Sequence, residues 1–351
     1  MIYDVVIVGG GQSALACAYY LRRTSLDYII LDANKNCGGS WGQNWEHLDL
    51  FSAAQHSSLP GWLMPKTKNE YPTKEETIAY LCQYEKRYDL PIKRGVKITN
   101  IEKENGVYLL KSTGENFKSK VIIAATGTQS KPLIPEVTGI KKFKGKQLHS
   151  SKYRKAEDFI NKKVLVVGEG NSGAQILAQL SKETETKWAV KNTPEFLPDD
   201  VDGKDLFDQA SAKYKAKKEG KEFKPQNYNI GSIVMVPQVK EARDRGVYKD
   251  FKNIEKLTET GVQWQNGERE DFDIILWCTG FGYATDYLKN ITEIQQNGKI
   301  ATKGTAALYG DGLWLVGFGQ WTGFASATLI GVGRSARKTV TEIKAYLEVS
   351  K

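Results

Sequence analysis

Two glycine turns, each set between an apolar strand and a helix, constrain this chain more than any other feature. The first reads Gly9-Gly10-Gly11-Gln12-Ser13-Ala14 and the second Gly168-Glu169-Gly170-Asn171-Ser172-Gly173. Buried-strand patterns at 3–8 and 163–167 precede them. Helical patterns at 15–23 and 174–182 follow, and second strands at 27–31 and 186–190 close each segment. Each is therefore read as a βαβ unit. The spacing has a physical reason: glycines let the backbone come close to a pyrophosphate, whose charge then rests on the unsatisfied N–H groups that open the helix. One such turn is weak evidence, since glycines also serve plain strand-to-helix connections. Two in one chain, each in the right context, point to two dinucleotide sites, with Gly9, Gly11, Gln12, Ser13 and Ala14 at one and Gly168, Gly170, Asn171, Ser172 and Gly173 at the other.

The ends of the second strands differ. Asp32 stands about 20 residues beyond the first turn, where a carboxylate accepts hydrogen bonds from a ribose 2′-hydroxyl and repels a 2′-phosphate. That site suits FAD or NAD. In the second unit the matching place holds Lys191 and Asn192. A cation there pairs with a 2′-phosphate, which points to NADPH, with NADH still open.

Two further strands break at Thr-Gly, one through Ala124-Ala125-Thr126-Gly127 and one through Trp277-Cys278-Thr279-Gly280. They flank the second unit and read as the chain crossing between domains. The expected fold class is α/β, two Rossmann-like domains with the NAD(P) domain inserted in the FAD domain. Residues 1–155 and 272–351 would form the FAD-binding domain and 156–271 the NAD(P)H-binding domain, with a final helix over 325–347.

Composition excludes other classes. At 351 residues, with 40% hydrophobic and 26% charged residues, the chain is long enough for two packed cores and lacks a bilayer-length apolar run. Residues 1–10 look like a strand and not a signal peptide, so a cytoplasmic protein is expected. Cys17, Cys37, Cys82 and Cys278 form no CxxC pair, so neither a disulfide framework nor a zinc site is expected. The net charge of +9 owes much to the lysines of residues 213–224. No nucleic-acid motif or aromatic platform accompanies them, so they read as a solvated face, with no nucleic-acid and no membrane partner.

The residues resemble the flavin-containing monooxygenases that keep FAD and NAD(P)H on one chain. The doubled turn, Gly38-Gly39-Ser40-Trp41, Ala125-Thr126-Gly127 and the run from Phe143 through Gly145 and His149 to Tyr153 carry the likeness, the last fitting F-x-G-x-x-x-H-x-x-x-F/Y. Within that family Leu48-Asp49-Leu50-Phe51-Ser52, Phe196-Leu197-Pro198-Asp199-Asp200 and Trp321-Thr322-Gly323-Phe324 are similar to short bacterial members encoded beside arsenic-resistance genes. The resemblance implies that nicotinamide gives a hydride to the flavin, that O2 adds at flavin C4a, and that the resulting hydroperoxide oxygenates a soft nucleophile such as a sulfide, or some ketones. The partners implied are a small-molecule substrate and O2, with a homodimer by analogy.

It also implies FAD contacts from Gly39, Ser40, Trp41, His47, Val96, Ala125, Thr126, Gly127, Gln320 and Thr322. His149 has two readings, acid–base catalyst or packing residue. At Phe51 larger family members carry an asparagine, and phenylalanine donates no hydrogen bond, so release of H2O2 by an NAD(P)H oxidase or flavin reductase is the alternative function. A disulfide reductase has the same plan but needs a redox cysteine pair, which the sequence does not display.

Overall fold

A computed structural model describes residues 1–223, 228–229 and 231–349. The chain begins β1 (Tyr3–Val8), α1 (Gln12–Leu21), β2 (Tyr28–Asp32), α2 (Lys74–Arg87), β3 (Ile92–Arg94), β4 (Ile98–Glu104), β5 (Val107–Ser112) and β6 (Phe117–Ala124). It continues β7 (Lys146–His149), β8 (Lys163–Val167), α3 (Asn171–Glu183), β9 (Glu185–Ala189), α4 (Gly203–Lys218), α5 (Pro237–Asp244) and β10 (Phe251–Lys252). Then come β11 (Ile254–Leu257), β12 (Gly261–Trp264), β13 (Arg269–Asp271) and β14 (Ile274–Trp277). The chain closes with β15 (Thr302–Lys303), β16 (Ala306–Ala307), β17 (Leu313–Leu315) and α6 (Leu329–Val349).

The chain divides into two compact units. The first holds Met1–Gly42, Ser52–Lys131 and Gly282–Lys351. Its sheet runs β15-β16-β17-β6-β1-β2-β3, with β4 and β5 joined to β6 as an antiparallel extension. β17, β6, β1, β2 and β3 are parallel. Val5, Val6 and Ile7 of β1 are fully buried, as a strand covered on both faces must be. α1 packs on α6, and its Ala14, Ala16, Cys17 and Ala18 are fully buried, small side chains that allow the close approach.

The second unit holds Gln43–Phe51 and Pro132–Phe281. Its parallel sheet runs β10-β9-β8-β14-β7, beside an antiparallel sheet β11-β12-β13. The insertion is thus wider than the expected 156–271. β14 pairs in parallel with both β7 and β8, so residues around 146–149 and 274–277, placed by the sequence in the flanking domain, belong to this sheet. The segment 43–51 joins it too, through Glu46 N–H to the Arg154 carbonyl at 2.9 Å and Gly203 N–H to the Phe51 carbonyl at 2.8 Å.

The last helix begins at Leu329 and not at 325. Gly323 (φ 135°) and Ala325 (φ 50°) hold left-handed backbone that cannot continue a right-handed helix. α4 carries part of the lysine run of 213–224. Lys224 and the side chains of Lys213, Lys217 and Lys218 lie outside the described residues. Among the described residues no helix is long and apolar enough to cross a membrane, and no group of three or more His, Cys, Asp or Glu is arranged for a metal ion.

Two of the cysteines do pair, which corrects the expectation. Cys37 and Cys82 form a disulfide across 45 residues, with Cα atoms 5.3 Å apart. A capping box starts α2, with Thr73 Oγ1 accepting from Glu76 N–H and Glu76 returning the bond to Thr73 N–H, and that helix brings Cys82 to the loop after β2. Beside the disulfide, Gly38 (φ 90°) packs so tightly on α2 that an added Cβ would sit 3.0 Å from Ile78. Closing a loop of this length stabilises a fold by about 2–4 kcal/mol, chiefly by restricting the unfolded chain. Reductant should therefore lower the urea midpoint of the wild type and leave that of Cys82→Ser unchanged. Equal midpoints for the wild type with and without reductant would contradict it.

Candidate functional site

The two glycine turns repeat one another bond for bond at the carboxyl ends of their sheets. In the first unit Gly9 N–H donates to the Leu31 carbonyl (2.8 Å), Ala125 N–H to Val8 (2.8 Å) and Leu15 N–H to Gly11 (3.1 Å). In the second Gly168 N–H donates to Ala189 (2.9 Å), Cys278 N–H to Val167 (2.7 Å) and Ala174 N–H to Gly170 (3.1 Å). Gly9 (φ 106°) and Gly168 (φ 130°) each lie against the next strand's end, where an added Cβ would come 2.5 Å from the Ala125 oxygen and 2.3 Å from the Cys278 oxygen. No other residue type fits there.

The middle glycines are different. A Cβ on Gly11 would meet only Gly39 Cα at 4.0 Å, and on Gly170 nothing within 4 Å. Both are N-caps in extended conformation with no side-chain capping bond and no acid in the following turn. Open space therefore stands before uncapped helix N–H groups, which is the local chemistry of an anion cradle at the crevice beyond the strand ends.

Other expected site residues gather round the first turn. Gln12 accepts from Trp41 Nε1 (3.1 Å) and donates to the Ala327 carbonyl (2.7 Å), tying two loops together. Gly39 is pressed on Gly11, a Cβ there reaching 2.6 Å from its Cα, and Ser40 is exposed beside it. Ser13 lies under Gly317, whose added Cβ would meet its Oγ at 1.9 Å, and Ala14 is fully buried. Thr126 Oγ1 donates to the Ala284 carbonyl (2.7 Å), and Gly127 (φ 63°) accepts from Ala284 N–H. Asp32 is 2% exposed. It accepts from Asn34 N–H and Nδ2 and pairs with Arg94 at 2.6 Å, while Val96 N–H donates to its backbone carbonyl (2.9 Å).

Gln320 is exposed and Thr322 fully buried, its Oγ1 accepting from Phe318 N–H. The sequence missed a more telling group: Trp321 Nε1 is buried with no hydrogen-bond partner among the described residues, its ring against Tyr283 and Phe318. Nothing in the sequence sets this indole apart from a core tryptophan.

His47 and Phe51, grouped by the sequence with the first turn, pack with the second unit. His47 is exposed, with its carbonyl accepting from Gln179 Nε2 (3.3 Å), and Phe51 is 39% exposed. Around the second turn, Asn171 Oδ1 accepts from Val234 N–H (2.8 Å). Ser172 is half-buried, and Gly173 packs on the Gly168 carbonyl, where a Cβ would come within 2.2 Å. At the end of β9, Lys191 N–H and Asn192 Nδ2 both donate to the Glu169 carboxylate, at 2.9 and 2.8 Å.

His149 closes β7. Its Nε2 donates to the Gly280 carbonyl at 2.9 Å and its Nδ1 accepts from Ser151 N–H at 3.1 Å, so the partners assign a neutral ring with the proton on Nε2. The other residues of its motif are core: Phe143 folds over Gly145, and Tyr153 is fully buried. Burial lowers the His149 pKa from the ordinary 6.5, against an opposing pull from the Gly280 carbonyl. The folded state then binds fewer protons than the unfolded chain just below 6.5. This stability is complete above 6.5 and is lost as pH falls through the lowered folded value. His149→Gln should flatten that acid-side decline in urea midpoint, and identical pH profiles for the two proteins would contradict it.

The pattern of the family described as pyridine nucleotide-disulphide oxidoreductase matches residues 6–202. The solved flavin-containing monooxygenase of Stenotrophomonas maltophilia is 40% identical, covers 99% of this chain and 100% of its own, and superposes with a TM-score of 0.90. The Bacillus subtilis oxidoreductase CzcO is 29% identical over 97% of this chain and 99% of its own length. A probable indole-3-pyruvate monooxygenase of Arabidopsis thaliana is 26% identical over 98% and 90%.

Proposed function

Because the chain belongs to the flavin-containing monooxygenases, within the pyridine nucleotide-disulphide oxidoreductase family, we propose that its first unit holds FAD, its second holds NAD(P)H, and together they oxygenate soft nucleophiles such as sulfides. The observation that carries this reading is the repeated cradle, open at Gly11 and Gly170 and packed shut at Gly9 and Gly168. Both coenzymes fit it by chemistry: a pyrophosphate needs backbone N–H groups and no Cβ in the way. The unpaired Trp321 Nε1 offers the first unit a further buried donor.

When bound, FAD and a reduced nicotinamide coenzyme would together supply the redox chemistry, two electrons and the activation of O2, with one oxygen atom destined for the substrate and the other for water. The protein's own part is binding and exclusion of water. N–H groups at the start of α1 and α3 take the two pyrophosphates. Gln12, bonded to Trp41 and Ala327, keeps the loops flanking the first cradle in place. Asp32, held by Asn34 at Oδ1 and by Arg94 at Oδ2, has one Oδ2 lone pair left for a ribose hydroxyl. His149 serves by anchoring the turn at Gly280 and not by proton transfer, since both ring nitrogens are engaged by the backbone.

Phe51 bears on how the oxygen is spent. It stands where larger family members carry asparagine, and it brings no donor, so part of the NAD(P)H consumed ends as H2O2. Losing one hydrogen bond to a charged group costs about 1.5–3 kcal/mol, enough to make such leakage visible. The test measures NAD(P)H consumed, sulfoxide formed from a simple thioether, and H2O2 released in the same reaction. Sulfoxide and H2O2 should together account for the coenzyme, and Phe51→Asn should raise the sulfoxide share. H2O2 alone, with no sulfoxide from a range of thioethers and no ester or lactone from ketones, would instead favour an NAD(P)H oxidase.

A further inference from the structure

The second unit lacks an acid where the first has Asp32. The bonds Gly9 to Leu31 and Gly168 to Ala189 fix the register between the units, so Asp32 corresponds to Val190 and Asn34 to Asn192. A carboxylate is nonetheless present. It comes from Glu169, which corresponds to Gly10, and it reaches across the turn from the opposite side. In the first unit Gly10 has no side chain to spare, because a Cβ there would meet Asp32 Oδ2 at 2.4 Å. In each unit the acid accepts from the matching asparagine, Asn34 Nδ2 to Asp32 at 3.0 Å and Asn192 Nδ2 to Glu169 at 2.8 Å.

We propose that Glu169 is the residue that sets coenzyme choice, favouring NADH over NADPH; the proposal rests on the reading of the second unit as the NAD(P)H site. A carboxylate at the end of the second strand accepts from the two hydroxyls of an unmodified ribose and repels a 2′-phosphate. Glu169 is half-buried, and each of its oxygens carries one bond from the loop, so its charge is held in place while lone pairs remain for the ribose. Lys191, the cation that pointed to NADPH in the sequence, gives its backbone N–H to this carboxylate. Its ammonium has no fixed partner among the described residues and sits on a flexible stem, whereas the carboxylate is anchored at two points. The fixed charge decides.

The test titrates the FAD-loaded full chain calorimetrically with 5′-AMP and with 2′,5′-ADP, which differ only in the 2′-phosphate. The wild type should bind 5′-AMP about tenfold more tightly, the scale of one like-charge contact at a binding site. Glu169→Gln, which keeps the shape, and Glu169→Ala should each narrow that ratio by about tenfold, with circular dichroism and yellow colour confirming the fold. A wild type that binds 2′,5′-ADP as tightly as 5′-AMP, or more tightly, overturns the proposal, as does a ratio unchanged in Glu169→Gln. A yellow wild type that binds neither nucleotide overturns the coenzyme's assignment to this unit, and the proposal with it.

Discussion

The contact between a glycine and a neighbouring strand's last carbonyl governs this molecule. At Gly9 against Ala125, and again at Gly168 against Cys278, the backbone passes so close that no side chain fits. That approach fixes where the strand stops and the helix starts, and it leaves the following glycine, Gly11 or Gly170, standing clear. Everything placed round the cradle depends on it. Gln12 can join Trp41 to Ala327, and Glu169 can reach the loop after β9, only because the turn is held at a fixed height over the sheet.

The same arrangement explains why so few side chains here look catalytic. A chain that binds two redox cofactors needs surfaces that hold them and keep water away, and most of its chemistry-bearing residues serve position. His149 illustrates this: a buried imidazole bonded by backbone groups at both nitrogens is a strut. Cys37 and Cys82 illustrate it differently, since their bond fastens the Gly38-Gly39 loop to α2 next to the first cradle. Cys17 and Cys278 are buried thiols, and burial pushes the Cys278 thiol up to about 12, far from a reactive thiolate.

Much of this was legible in the sequence, for a physical reason. Glycine turns between apolar strands and helices are local features, so β1, α1, β8 and α3 could be read from composition and spacing alone. Contacts between distant segments could not. Cys82 meets Cys37 because α2 is docked against the loop after β2, and spacing carries no trace of that docking. Residues 43–51 join the second unit through backbone bonds to Arg154 and Gly203, which any sequence could make, so His47 and Phe51 were grouped with their neighbours in the chain. Lys191 was legible as a cation, but the carboxylate opposite it comes from 22 residues earlier, in the second glycine turn itself.

The central claim is that two like cradles hold two unlike dinucleotides and that electrons pass between them. Anaerobic mixing of the purified protein with NADH or NADPH, followed by O2, tests it most directly. The protein should emerge yellow, bleach with about one equivalent of coenzyme as a single hydride is transferred, and regain its colour when O2 is admitted. Gly11→Val, which fills the first cradle's open space, should come out folded and colourless. A yellow protein that neither coenzyme bleaches, or a Gly11→Val protein as yellow as the wild type, would contradict it.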